Sequence, residues 1–304
     1  MVTKVAVVSN SAELHAKNIV HAHNEYYKDM KLTHIPYDDL YDTGFELCNI
    51  SEFDILLNIG YFVPIAVYLE SVRKAEPDMK IVNCWIGSDI LQNLGHFTSG
   101  MEQHVRAANN YVNICDAPWF ADELKDFFKI KAQVVKTTPK ELLEPCDLPF
   151  EPAIAVHMPH YRRAFYNFEM VMEVCSLNTD TIFHLLGHPE PKPKPNLENV
   201  IWHRWASQKK VHEIMKRSTA VIRAPMHDGI AVSTLEALSA GRYVITNIPN
   251  IPHTIYAPKM IDIGYAIRKL RREKDWNIEG SQWVRNNYSP RHMADTYHKV
   301  LENL

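Results

Sequence analysis

Short apolar runs alternate with longer stretches of helical spacing along the whole chain. Apolar runs bounded by turn residues read as strands, and apolar positions three and four apart read as helices. In the first half the strand-like runs are residues 4–9 (KVAVVS), 53–61 (FDILLNIGY), 80–87 (KIVNCWIG), 111–116 (YVNICD) and 131–137 (KAQVVKT). Helical spacing covers residues 11–28, 63–77, 100–109 and 118–128; Pro118 suits the first turn of the last one, where a missing N–H costs nothing. The second half repeats the rhythm. Strands are expected at 153–159 (AIAVHMP), 181–187 (TIFHLLG), 199–205 (NVIWHRW), 220–225 (AVIRAP) and 243–247 (YVITN), with helices at 162–175, at 207–218 and from Val232. Three more helical stretches close the chain at 264–276, 278–288 and 289–304, and Ser289 before Pro290 is a good start for the last.

Alternating strand and helix predicts parallel sheets with helices on both faces. Two such series predict an α/β protein of two Rossmann-like, doubly wound domains facing each other across a cleft. Residues 137–153 (TTPKELLEPCDLPFEPA) contain Pro139, Pro145, Pro149 and Pro152, a density that marks a linker near 138–152. The expected domains are residues 1–145 and 146–288, followed by a terminal helix over 289–304. The proline-rich stretch 189–196 (PEPKPKPN) is too short for a linker and reads as a surface loop.

Composition is that of an ordinary globular chain: 304 residues, 46% hydrophobic and 23% charged. No apolar run approaches the roughly 18 residues of a membrane span. The N-terminal residues read as a strand and a loop rather than a signal peptide. Five scattered cysteines without a C-x-x-C pair argue against a zinc site or a disulfide framework, and a cytoplasmic location is expected. Charge is distributed unevenly. Residues 1–150 hold 13 Lys+Arg against 21 Asp+Glu, a net of −8, and residues 151–304 hold 20 against 15, a net of +5. A small anionic ligand would favour the second half. The scattered histidines, His157, His160 and His227 among them, suit surface or core roles better than metal ligation.

The candidate chemistry lies at 220–240. AVIRAP supplies a strand, MHDGIA a turn and VSTLEALSA a helix. The first N–H groups of a helix lack intrahelical partners and the helix dipole favours negative charge there. A diphosphate would lie on the backbone N–H groups of Gly229, Ile230, Ala231 and Val232. Asp228 stands in the turn and Glu236 inside the helix, and both carboxylates accept hydrogen bonds from hydroxyls. A ligand with hydroxyls on either side of a diphosphate is a nucleotide-sugar.

The segment DGIAVSTLEALSAGRYVIT resembles the Glu-x7-Glu segment of retaining GT-B glycosyltransferases of the GT4 type, with Asp228 and Glu236 in the places of the two glutamates. Ala237, Gly241, Val244 and Ile245 also match. AVHMPHYRRAFYNF resembles the strand and loop from which that family directs an arginine and a lysine to the diphosphate; Arg162 matches the arginine. WIGSD (85–89) resembles an acceptor-domain H-G-S-D turn, with Ile86 in place of histidine, and SPRHMADTYHKVLENL resembles the terminal helix that crosses back to the first domain. The resemblance implies transfer of a sugar from a nucleotide-linked donor, UDP- or GDP-linked, to a hydroxyl acceptor: a glycan, a metabolite or, in a viral protein, a modified DNA base. Glu236 would hold the ribose and Asp228 the donor sugar, while Arg162 and Arg163 would offset charge on the leaving diphosphate and Asp89 would orient a sugar. Neither metal nor separate cofactor is implied.

Three departures accompany the likeness. Aspartate at 228 shortens the acidic arm by one methylene. Phe165 or Tyr166 stands where the lysine belongs, with Arg163 as the nearest substitute. The loop after the first strand lacks a glycine pair, so Asn10 and Ser11 make poor ligands. These changes also fit a catalytically silent nucleotide-sugar binder of the same fold. A dinucleotide-binding oxidoreductase does not fit, because no G-x-G-x-x-G follows a strand. Trp202 and Trp205 flank Arg204 in a turn that suits packing or a nucleobase.

Overall fold

The computed structural model describes residues 2–9, 12–37, 50–159, 162–189 and 197–304. Asn10, Ser11, Cys48, His160 and nearly all of the proline-rich loop fall outside them. The chain forms two compact units. Unit 1 comprises Met1–Lys140 together with Tyr288–Leu304, and unit 2 is Glu141–Asn287.

Unit 1 is built on a parallel sheet of β1 (Thr3–Ser9), β2 (Met30–Pro36), β3 (Ile55–Ile59), β4 (Lys80–Trp85), β5 (Val112–Cys115) and β6 (Ala132–Val134), in the order β2-β1-β3-β4-β5-β6. Side chains alternate between faces with a period of two, and here both faces are cores. Ala6, Val8, Leu56, Ile81 and Trp85 enter one core, while Val5, Val7, Leu57, Val82 and Cys84 enter the other. That explains the unbroken apolar strand sequences. The second core is completed by α1 (Glu13–Tyr26) and the last helix (Pro290–Glu302), whose Met293, Ala294, Tyr297, Val300 and Leu301 pack with Ala16, Ile19 and Ala22. Ser289 caps that helix, its hydroxyl accepting the His292 N–H.

Unit 2 carries β7 (Ala153–His157), β8 (Ile182–Leu186), β9 (Val200–His203), β10 (Ala220–Arg223), β11 (Tyr243–Thr246) and β12 (Ile255–Tyr256), in the order β12-β11-β10-β7-β8-β9. Every described pairing is parallel. One core gathers Ile154, Val156, Phe183, Leu185 and Ile222 with the helices Phe168–Leu177 and Met260–Leu270, and the alternate residues Ala155, Val221 and Val244 are equally buried.

Several elements differ from the sequence expectation. β2 (MKLTHIP) lies at the end of the sheet order and mixes apolar with polar residues, so no apolar run announces it. β12 has only two residues. A helix over Ser88–Thr98 stands where a turn was expected; its buried face includes Asp89 and Asn93, which breaks the apolar periodicity. The helical material after it is confined to Glu102–Arg106 and a 3₁₀ turn. The helix expected from Arg162 begins at Phe168, because Asn167 adopts a left-handed φ of 51° just before it.

Candidate donor-binding site

In unit 2 the chain leaves β7 to lay down β8 and β9 on one side, then returns to place β10, β11 and β12 on the other. The strand order therefore reverses between β7 and β10. In doubly wound sheets ligands bind outside the carboxyl ends of the strands at such a point. His157 ends β7 and Arg223 ends β10. The loops leaving these strands are tied together: Met226 N–H donates to the Phe165 carbonyl at 2.7 Å, and Asn167 Nδ2 to the Ala224 carbonyl at 2.9 Å. From the end of β11, Asn247 Nδ2 donates to the Pro225 carbonyl at 2.8 Å. The Arg162–Arg163 turn and the Asp228 turn are thus held side by side.

At their centre is Arg223, which sequence reasoning missed. Its Nε and Nη2 donate to Asp228 Oδ2 at 2.9 and 2.6 Å, and its Nη1 donates to His157 Nδ1 at 2.5 Å. The guanidinium stacks on Tyr166, 5.0 Å from the ring centroid. Burial is the largest single influence on Arg223 and pulls its pKa down, but the Asp228 carboxylate and Tyr166 together outweigh it and the net direction is upward. Asp228 Oδ1 accepts the Gly229 N–H at 3.1 Å, so both oxygens are engaged and Gly229 N–H is drawn back to its own turn. The available signal was a charged residue closing the apolar strand AVIR, five positions before the acid.

The helix following this turn, Val232–Ser239, starts at Ala231 without a side-chain cap. Its first N–H groups therefore have no side-chain partner; Gly229, Ile230 and Val232 are buried at its approach and Ala231 is half-buried. Glu236 is only 5% exposed. Its Oε1 accepts from His212 Nε2 at 2.9 Å and Gln208 Nε2 at 3.2 Å, both on the helix Gln208–Lys216. Oε2 is not bonded to any donor among the described residues. An acid held by one oxygen presents the other in a fixed direction to a hydroxyl. His212 and Gln208 had no sequence signal, because nothing in their spacing relates them to Glu236.

The remaining expected residues are placed as follows. Arg162 lies over the Phe165 ring at 5.6 Å. Arg163 packs 3.8 Å from the Phe168 ring centroid and pairs with Glu169 at 3.1 Å. Of Phe165 and Tyr166, the two residues at the lysine's expected place, Tyr166 lies against the Arg223 guanidinium and Phe165 under Arg162. Asp89 belongs to unit 1 and is 5% exposed. Its carboxylate accepts the N–H groups of Tyr61, Ile86 and Ile90 at 2.8–3.1 Å, clamping two loops together. Trp205 is 69% exposed, while Trp202 packs against His188, with ring centroids 5.5 Å apart. Among the described residues no group of three or more His, Cys, Asp or Glu is arranged to hold a metal ion.

No protein-family model and no curated protein matches the sequence. Solved structures do match the fold. Sucrose-phosphate synthase from Thermosynechococcus elongatus superposes with a TM-score of 0.75 at 10% identity, covering 99% of this chain and 98% of that one. Anabaena Alr3699/HepE, solved in complex with UDP and glucose, gives 0.74 at 8% identity over 99% and 100%. TarM gives 0.64 at 15% identity over 81% of this chain; only 54% of TarM is covered, so the chain spans about half its length. Two UDP-N-acetylglucosamine 2-epimerases share the architecture more distantly. The chain has the GT-B fold. At these identities the likeness establishes the fold and no more.

Proposed function

We propose that the protein is a glycosyltransferase that takes a sugar from a nucleoside-diphosphate donor held by unit 2 and delivers it to a hydroxyl acceptor. One observation carries this reading: the acid–x7–acid segment sits at the carboxyl-end switch point of the second sheet, with Asp228 in the turn, an uncapped helix start beside it and Glu236 directed by His212 and Gln208. The diphosphate lies on the N–H groups from Ile230 to Ser233, Glu236 Oε2 holds the ribose, and Asp228 addresses the donor sugar. Arg162 and Arg163 offset the charge that grows on the leaving group, the role a metal fills elsewhere. The bond from the anomeric carbon to the diphosphate breaks, a bond to the acceptor oxygen forms, and the acceptor's proton departs with the diphosphate. Retention of configuration follows from the GT4-type resemblance. UDP-sugars are the first donors to try, since HepE was solved with UDP. The acceptor class and a cytoplasmic location belong to the same proposal; no described helix is long and apolar enough to cross a membrane.

A second reading is favoured by one feature. Asp228 is already neutralised by Arg223, as a silent nucleotide-sugar binder would allow. Calorimetric titration with a panel of nucleoside-diphosphate sugars, followed by product analysis, separates the readings. Transfer or donor hydrolysis supports the enzyme, binding with no turnover of any donor supports the silent form, and a donor returned as its epimer overturns transfer. Glu236→Ala weakens every nucleotide donor alike; unchanged binding by that variant refutes the site.

A further inference from the structure

Arg223 fixes more than Asp228. Its Nη1 lies 2.5 Å from His157 Nδ1. A guanidinium offers only N–H groups, so Nδ1 is the acceptor and carries no proton. The imidazole is therefore held as the neutral tautomer with its proton on Nε2. Burial, and then the Arg223 charge, push the His157 pKa down to about 3, so this form persists at physiological pH. Tyr166 stands edge-on to the imidazole, centroids 6.3 Å apart at 88°, which restrains the ring from the loop side. Among the described residues Nε2–H is bonded to no acceptor, yet His157 is not sealed from solvent. The result is an N–H that is always protonated, is oriented from behind by a cation, and sits at the carboxyl end of the strand beside the switch point.

We propose that His157 donates its Nε2–H to the diphosphate of the nucleotide-sugar, filling the place left by the absent lysine. The inference rests on the reading of unit 2 as the donor site. As a neutral donor His157 brings direction rather than charge, and Arg223, itself paired with Asp228, fixes the tautomer and orientation of the ring. The Tyr166 ring packs on both His157 and Arg223.

The full chain is titrated with UDP, GDP, ADP and CDP, and with the matching nucleosides by ligand-observed NMR. His157→Phe should weaken the diphosphate that binds by roughly 10–100-fold, the loss of one hydrogen bond to a charged group. Binding of its nucleoside should be unaffected, whereas a collapsed site would weaken both. His157→Gln, which keeps a neutral N–H donor, should recover most of the loss. If His157→Phe binds the diphosphate as the unmodified chain does, the inference falls and the donor site stands. If the unmodified chain binds no nucleoside diphosphate, both fall. A measurement free of any folding defect is the ¹⁵N spectrum of histidine-labelled unmodified chain. His157 should show a bare Nδ1 and a protonated Nε2 whose signal moves on adding the diphosphate; a proton on Nδ1 overturns the assignment.

Discussion

Replacing Asp228 by alanine strands a cation. The pair is largely buried, with side-chain exposures of 10% for Arg223 and 19% for Asp228, and Asp228 Oδ2 takes two of the three guanidinium hydrogen bonds described above. Removing one partner of a fully buried ion pair costs about 3–5 kcal/mol, because the remaining charge is left desolvated. Water can reach Arg223 through the gap that alanine leaves, so about 2–3 kcal/mol is expected here. For a unit of this size that lowers the melting temperature of unit 2 by roughly 4–12 °C. The double variant Asp228→Ala/Arg223→Met removes the stranded charge and should return to within about 1 kcal/mol of the parent. Differential scanning calorimetry of the parent, both single variants and the double variant completes the cycle. An Asp228→Ala variant as stable as the parent, or a double variant no better than the single one, refutes the argument that this carboxylate neutralises Arg223. The cycle also bears on function: transfer lost in the stable double variant reports on the site's chemistry, whereas transfer lost in Asp228→Ala alone is confounded with stability.

Three further outcomes are expected. Gly241 closes the Val232–Ser239 helix at φ +75°, with Gly241 N–H bonded to the Leu238 carbonyl and Arg242 N–H to that of Ala237, and an added Cβ would lie 2.6 Å from Trp276 Cε3; Gly241→Ala should lose more than about 1 kcal/mol in urea unfolding, and an unchanged midpoint would contradict the contact. Fully buried Arg242 donates to the carbonyls of Cys146, Asp147, Lys216, Ser218 and Ala240, so Arg242→Met should lose on the order of 3 kcal/mol and speed proteolysis near residues 141–147, while an uncleaved, equally stable variant would show that the clamp is dispensable. His23, buried with its Nε2 3.2 Å from His298 Nδ1, has its pKa lowered from 6.5 to about 4, first by burial and then by His298. Between those values the unfolded chain binds the extra proton, so this contribution is intact above pH 6.5 and about 3 kcal/mol is lost as the pH falls through 4; equilibrium unfolding of unit 1 across that range, with His23→Leu as the flatter control, checks it.

The alternation of apolar strands with helical stretches determined the α/β architecture, because a strand covered on both faces must be apolar at every position. Val5–Val8 and Ala220–Ile222 declare themselves in any context. The acid–x7–acid segment was equally legible, since its strand, turn and helix are local and its glycine at 241 answers a local need for positive φ. The backbone N–H groups that Asp89 accepts were not legible, because a carboxylate after a turn reads the same whether it faces a ligand or caps backbone N–H groups. Only the tertiary structure decided what stands behind each acid. Arg223 reaches His157 across two strands far apart in the chain, His212 reaches Glu236 from another helix, and Tyr166 lies against Arg223 from the loop after β7. Such contacts depend on strand order, and a sheet whose order reverses between β7 and β10 joins residues that no local spacing relates.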